Sequence, residues 1–305
     1  MYWTAQGRLW YASLAADALQ LAAGDGAYEE LAAQVGSTPS QDLVVIDKDI
    51  GRTFPSEAAF QTAEARKSLR RVLGAYALRS TYCQGMSYIA ALMLQHLPER
   101  EAFWSLAALV EEFLPAGYFT DDLQGAYMDQ FIAFGVFLPH RCPRLAAHLA
   151  KLEFPLTLIG VRWFLCLFAA DLAPAHTCRV WDVLFAHGSH ILFGLALELL
   201  AAEEEEMLRA ADVPDLFTKV RGTCARSTPS WDRLLQVAQA RRDPSSHSLS
   251  TRFTYEGGHS SAGLPKRVRR RRRPSRIPST EPAARAPRGR GRGRRGIAAR
   301  GGGRY

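Results

Sequence analysis

Hydrophobic positions recur along most of this chain with the period of a helix. In the stretch EAFWSLAALVEEFL, the positions Phe103, Leu106, Ala107, Val110, Phe113 and Leu114 fall on one face, at the 3.6-residue spacing of an amphipathic helix. Pro98 and Glu99 stand before it, as helix starts favour. The run PRLAAHLAKLEF repeats the pattern with Leu145, Leu149 and Leu152. The run GVRWFLCLFAADL, residues 160–172, is apolar nearly all round and predicts a fully buried helix. Alternating patterns of the strand type are scarce, and the chain has no Asn, so no Asn-Gly hairpin signal exists. Pro and Gly punctuate the pattern at Pro115–Gly117, Pro139, Pro143, Pro155, Pro174 and Pro214. The pattern predicts an all-α domain of many short helices over residues 1–235. No repeat of fixed period is visible, which argues against a helical solenoid.

After about Arg241 the pattern stops. Ser, Gly, Pro and Arg dominate and apolar residues nearly vanish. Such a segment buries too little surface to offset its ordering entropy, so residues 236–305 are expected to be a disordered basic tail. Charge follows the same division. Residues 241–305 carry 19 Lys and Arg against 3 acids, a net of +16, within a chain of net +8. Residues 1–240 are therefore acidic, at −8, and the chain's high isoelectric point belongs to the tail rather than to a nucleic-acid-binding face of the domain. The tail holds KRVRRRRR, seven basic residues in eight at 266–273. Three readings of it stay open: a tether to anionic membrane, an RNA-contacting or nuclear segment, and a solvated extension.

The cysteines, Cys83, Cys142, Cys166, Cys178 and Cys224, form no CxxC pair. An odd, scattered set with no secretory signal at MYWTAQGRLW reads as reduced intracellular thiols, and the expected location is cytoplasmic. No apolar run reaches the roughly 18 residues of a spanning helix, so no transmembrane segment is expected.

Most chemical motifs fail on context. A literal GxGxxG at Gly291, Gly293 and Gly296 has only Arg between its glycines, with neither the strand nor the helix that dinucleotide binding needs. There is no P-loop, GxSxG elbow or HExxH. Two HxC pairs, His140 with Cys142 and His176 with Cys178, lack a usual zinc-ligand spacing, and no metal is expected. Two segments remain. In VVIDKDIGRTFP, Ile46, Asp49 and Arg52 lie one helical turn apart, with Arg52 at the helix exit before Pro55. In TYCQGMSYIAALMLQ, Gln84 sits at the head of an apolar helix through Ile89, Leu92 and Met93, beside Gly85, where a backbone can approach closely. Taken alone, Arg52 reads as a cation complementing a helix C-terminus, and Gln84 as a surface residue.

Together the two segments resemble the signature motifs of the TBC domain family, the GTPase-activating proteins for Rab GTPases. Its motifs are IxxDxxR, here Ile46, Asp49 and Arg52, and YxQG, here Tyr82, Cys83, Gln84 and Gly85. Further stretches resemble the family in order: RLW at 8–10, YEEL at 28–31, LRRVLGAYA at 69–77, Phe103–Trp104, GYFT at 117–120, WFLCLFAADL, and RVWDVLFAHGSHILF at 179–193. The resemblance covers roughly residues 8–220. It implies an all-α fold and activity on a GTP-loaded Rab partner, with Arg52 as an arginine finger and Gln84 as a glutamine finger. It also implies no cofactor of the chain's own, since GTP and Mg²⁺ belong to the partner, and a place on endomembranes where Rab proteins sit. Asp49 would hold the arginine. Arg179, Trp181 and Asp182 would lock helices together. The run AYALRSTYCQG is shorter than usual before Gln84, and Thr81 stands where the family has Gly. The alternative reading is accordingly a catalytically impaired module that binds a Rab as effector or scaffold, with Gln84 displaced.

Overall fold

A computed structural model describes residues 3–37, 40–115, 117–119, 126–127, 129, 131–226 and 236. The expected tail lies outside the described residues, apart from Gln236. Among the described residues every regular element is helical, in line with the all-α reading. The first half holds α1 (Ala5–Ser13), α2 (Ala16–Ala23), α3 (Ala27–Gln34), α4 (Gln41–Arg52), the one-turn α5 (Ala58–Gln61), α6 (Ala63–Arg79), α7 (Met86–His96) and α8 (Glu99–Ala108). After two π-helical turns, Leu109–Phe113 and Phe131–Phe137, come α9 (Leu138–Arg141), α10 (Pro143–Lys151), α11 (Thr157–Leu165), α12 (Pro174–His187), α13 (Ile191–Ala202), α14 (Glu204–Leu208) and α15 (Val213–Arg226).

Two sequence expectations change in detail. The 99–114 pattern predicts one apolar face, yet Trp104, Ser105, Ala108 and Leu109 are as buried as Phe103 and Leu106. The cause is position: α8 packs against α2, α6 and α7 at once, so beyond its first turn, from Ala102 to Ala108, it has no water face. The chain also widens into a π-turn at Leu109–Phe113, which leaves Val110 and Phe113 half-buried. The second change concerns residues 160–172. The stretch is buried as predicted, but the helix ends at Leu165. Leu167 and Phe168 take left-handed backbone angles, φ 46° and 63°, each worth about 1–3 kcal/mol of strain. Full burial of both side chains offsets that cost, and the Trp181 indole donates to the Leu167 carbonyl at 3.0 Å. The turn folds the chain back on α11, a point that matters at the site.

The N-terminal helix is pinned by a polar cluster. Trp10 is fully buried, its ring 5.3 Å from Trp181 and 4.9 Å from His96. Its indole N–H donates to Asp182 at 2.7 Å, and the Gln6 amide donates to both Asp182 oxygens at 3.0 Å. Trp181 and Asp182 thus bolt α12 to α1 and to the 166–172 turn, whereas Arg179 lies exposed on α12. Gly7 permits the close approach: a Cβ there would fall 2.1 Å from the His96 carbonyl oxygen. Burial lowers the His96 pKa and raises the neighbouring Cys178 thiol to about 12, so the contact between them, at 3.3 Å, is structural rather than nucleophilic. The five cysteines form no disulfide.

Candidate functional site

Helix α4 is built to present its last residue. Ser40 caps it by accepting the Asp42 N–H at 3.2 Å, and Asp42 sits in the first turn where a negative charge suits the helix dipole. Ile46 and Ile50 face the core, Ile46 fully buried, and α4 lies against α6. Three residues beyond Ile46 on the same face, Asp49 is also buried, its side chain only 3% exposed, while that of Arg52 is 53% exposed. Arg52 therefore sits at the rim, where the buried stripe of α4 meets solvent. It is the last helical residue, and Thr53 is its C-cap.

The turn after Arg52 is held by several hydrogen bonds. Thr53 donates its hydroxyl to the Asp49 carbonyl at 2.7 Å and lies 2.9 Å from the Ser87 hydroxyl. The Gln61 amide donates to the carbonyls of Thr53 and Phe54, at 3.1 and 2.9 Å. Phe54 has a left-handed φ of 45°, stabilised by stacking on Phe60 at 4.3 Å and an edge contact with Tyr88 at 5.1 Å.

The second motif reaches the same place from α7. Gly85 precedes that helix with φ 108°, which glycine adopts freely. Its backbone also abuts the 165–166 turn, since a Cβ would meet Cys166 Sγ at 3.2 Å and the Leu165 carbonyl oxygen at 3.3 Å. Gln84 lies two residues before the helix, not within it, and its side chain is exposed. Tyr82 is buried and donates its hydroxyl to Asp49 Oδ2 at 2.5 Å, while Asp49 Oδ1 receives Arg52 at 2.5 Å. Burial, followed by the bond to Asp49, raises the Tyr82 pKa well above its ordinary value, so the hydroxyl remains a donor.

Arg52 and Gln84 line one cleft of about 400 Å³, together with Asp49, Tyr88 and Arg162. The opposite wall is α11, with Leu158, Val161 and Leu165. The shortened connection ahead of Tyr82 does not take Gln84 away from Arg52. The structure thus brings Asp49, Arg52, Tyr82, Gln84 and Gly85 together, keeps Ile46 beneath them as core, and leaves Trp181 and Asp182 in the α1–α12 contact. Among the described residues no cluster of His, Cys, Asp and Glu is arranged to hold a metal ion.

Arg162 and Tyr88 escaped the sequence analysis. Arg162 lies inside the apolar run of residues 160–172. A charge in a run that is otherwise buried must reach solvent or a partner, and that was the available signal. Arg162 is 44% exposed in the cleft and donates from Nε to both oxygens of Asp171, at 2.9 and 3.0 Å, and from Nη2 to the Ala170 carbonyl at 2.9 Å. Only the left-handed turn at 167–168 puts those acceptors within reach.

Comparison with known proteins shows the family and the fold. The profile of the Rab-GTPase-TBC domain matches residues 21–208. The chain is 33% identical over 217 residues to TBC1 domain family member 2B of Xenopus tropicalis, covering 70% of this chain and 23% of that protein. It is 37% identical over 177 residues to human small G protein signaling modulator 3, covering 56% of this chain and 24% of that protein. The chain therefore spans less than a quarter of the length of these curated relatives. Among solved structures it resembles the Chlamydomonas flagellar RabGAP TBC domain, with a TM-score of 0.65 and 30% identity over 76% of this chain and 78% of that one. The TBC domain of Skywalker/TBC1D24 from Drosophila melanogaster shares the fold, with a TM-score of 0.57 at 19% identity over 79% of this chain and 86% of that one. With the profile matched across most of the described helices, the chain belongs to the Rab-GTPase-TBC domain family.

Proposed function

We propose that this protein is a GTPase-activating protein for a Rab-family small GTPase, with Arg52 as an arginine finger and Gln84 as a glutamine finger. One observation carries the reading: both side chains stand exposed on a single cleft, one at the end of a helix anchored by a buried carboxylate, the other beside a glycine turn. Hydrolysis of GTP spreads negative charge over the transferring phosphoryl oxygens. A guanidinium is permanently charged and presents a planar fork to two oxygens at once. Such fingers are worth about 10³ to 10⁵ in rate, or about 4–7 kcal/mol of barrier. A neutral amide carries no charge to the phosphate but can orient the attacking water. GTP and Mg²⁺ would be held by the partner. Asp49 is the resting acceptor for Arg52, keeping the guanidinium extended along the cleft until phosphate oxygens replace the carboxylate. Cytoplasmic action at endomembranes, and a tail contact with anionic lipid or RNA, belong to the same proposal. Among the described residues no helix is long and apolar enough to cross a membrane.

The test is phosphate release from a panel of GTP-loaded Rab proteins with the full chain, beside Arg52→Ala and Gln84→Ala. Acceleration of at least one Rab by the wild type, lost in both variants, supports the two-finger reading. Binding without acceleration favours the effector reading. Equal acceleration by Arg52→Ala removes Arg52 from the mechanism.

A further inference from the structure

The last carbonyls of a helix lack intrahelical partners and must find others. At the end of α4 those partners can be named. The Asp49 carbonyl takes the Thr53 hydroxyl, and the Ile50 carbonyl takes the Thr53 N–H at 3.3 Å. The Arg52 carbonyl takes the Tyr88 hydroxyl at 2.8 Å. Tyr88 is itself held from two sides: its ring centroid lies 5.1 Å from that of Phe54 in a T-shaped contact, and the Arg162 guanidinium lies 5.8 Å from its ring centroid. Arg162 is fixed by Asp171 and the Ala170 carbonyl. We infer that Tyr88 is a positioning residue for Arg52, and that the Asp171–Arg162 pair holds Tyr88 in place as the outer member of the same device. The hydroxyl fixes the Arg52 carbonyl, hence the direction of the Cα–Cβ bond from which the guanidinium is aimed. Arg162 spends its Nε and Nη2 on Asp171 and Ala170, so the two charges largely cancel, and its part is to clamp a ring rather than to meet phosphate.

This inference rests on the proposed GTPase-activating function and deepens it. Its test is Tyr88→Phe in the full chain, which deletes one oxygen and keeps the ring. Phosphate release is followed against the concentration of a GTP-loaded Rab that the wild type accelerates. A displacement of about 1 Å at a reacting group can cost about a hundredfold. The expected result is a kcat lower by about 10- to 100-fold with KM changed less than about 2-fold. The second readout is affinity for the same Rab loaded with GDP and aluminium fluoride, compared with a non-hydrolysable GTP analogue. Tyr88→Phe should weaken the first complex and spare the second, because aim matters where the transferring group carries its charge. Arg162→Ala should reproduce the kcat loss, Arg162→Lys should restore part of it by keeping a cation over the ring, and Tyr88→Phe with Arg162→Ala should lose no more than the larger single effect. An unchanged kcat in Tyr88→Phe, or equal weakening of both complexes, overturns the inference while leaving the proposed function standing. If the wild type accelerates no Rab, the proposed function falls and the inference falls with it.

Discussion

The Asp49 carboxylate accepts the Tyr82 hydroxyl at 2.5 Å, a bond between residues 33 positions apart. Asp49 belongs to the helix that carries Arg52, and Tyr82 to the segment that carries Gln84. One buried contact therefore sets the distance between the two proposed fingers. Removing the Tyr82 hydroxyl leaves a buried carboxylate oxygen without its partner, at a cost of about 1–3 kcal/mol. Tyr82→Phe should lower the urea midpoint accordingly and reduce GTPase activation. Wild-type stability in that variant would mean that Asp49 finds another donor.

Arg52 answers to a different requirement. Its side chain is exposed but pairs with the buried Asp49 carboxylate, so its loss should lower both the stimulated rate and, by uncovering that charge, the melting temperature. Arg52→Ala is expected to lower stimulated hydrolysis by about 10³-fold or more. Arg52→Lys keeps the charge but not the fork, and should recover only a small part of the activity. Full recovery with Lys would show that a point charge suffices.

Gly85 joins conformation and packing. With φ at 108° and Cys166 Sγ and the Leu165 carbonyl where a Cβ would go, Gly85→Ala should cost about 1–3 kcal/mol and displace Gln84. Gln84→Ala, in contrast, alters an exposed side chain and should leave stability within about 0.5 kcal/mol while lowering activity. Parallel denaturation curves and phosphate-release assays on the two variants separate these outcomes.

Asp182 collects three donor contacts from α1, one from Trp10 and two from the Gln6 amide. Asp182→Ala strands a buried indole N–H and should destabilise the protein by about 1–3 kcal/mol. Hydrogen exchange should rise first in residues 5–13. Unchanged protection there would break the link between α12 and the N-terminal helix.

Asp129 supplies a pH dependence. Burial raises its carboxyl to about 7, and Oδ2 has no hydrogen-bond partner among the described residues. The folded state thus holds a proton that the unfolded chain releases at ordinary carboxylate pH. The contribution is fully present below the unfolded pKa, near 3.8, and is lost as pH rises through about 7. The melting temperature should fall between about pH 4 and about pH 7, and Asp129→Asn should flatten that fall. An identical slope in the variant would assign the titration elsewhere.

Much of this protein is legible in its sequence. The 3.6-residue period gave an all-helical domain because burying one stripe of a helix is a local property of residue order, as Leu145 and Leu149 show. The pair of motifs marked Arg52 and Gln84 because the chemistry of charge and amide is carried by residue type. What sequence could not contain was set by neighbours distant in the chain. Beyond its first turn, helix α8 has no polar face because α2, α6 and α7 pack against it. The helix through Arg162 ended at Leu165 because the indole of Trp181 and a closed core stabilise two left-handed residues that local preference disfavours. That turn brings Asp171 to Arg162, and Arg162 to Tyr88. Sequence alone determined which side chains can do the chemistry. The tertiary structure decided which of them share a cleft and what holds each in place, because hydrogen-bond partners and burial depend on through-space distance, which spacing along the chain does not fix.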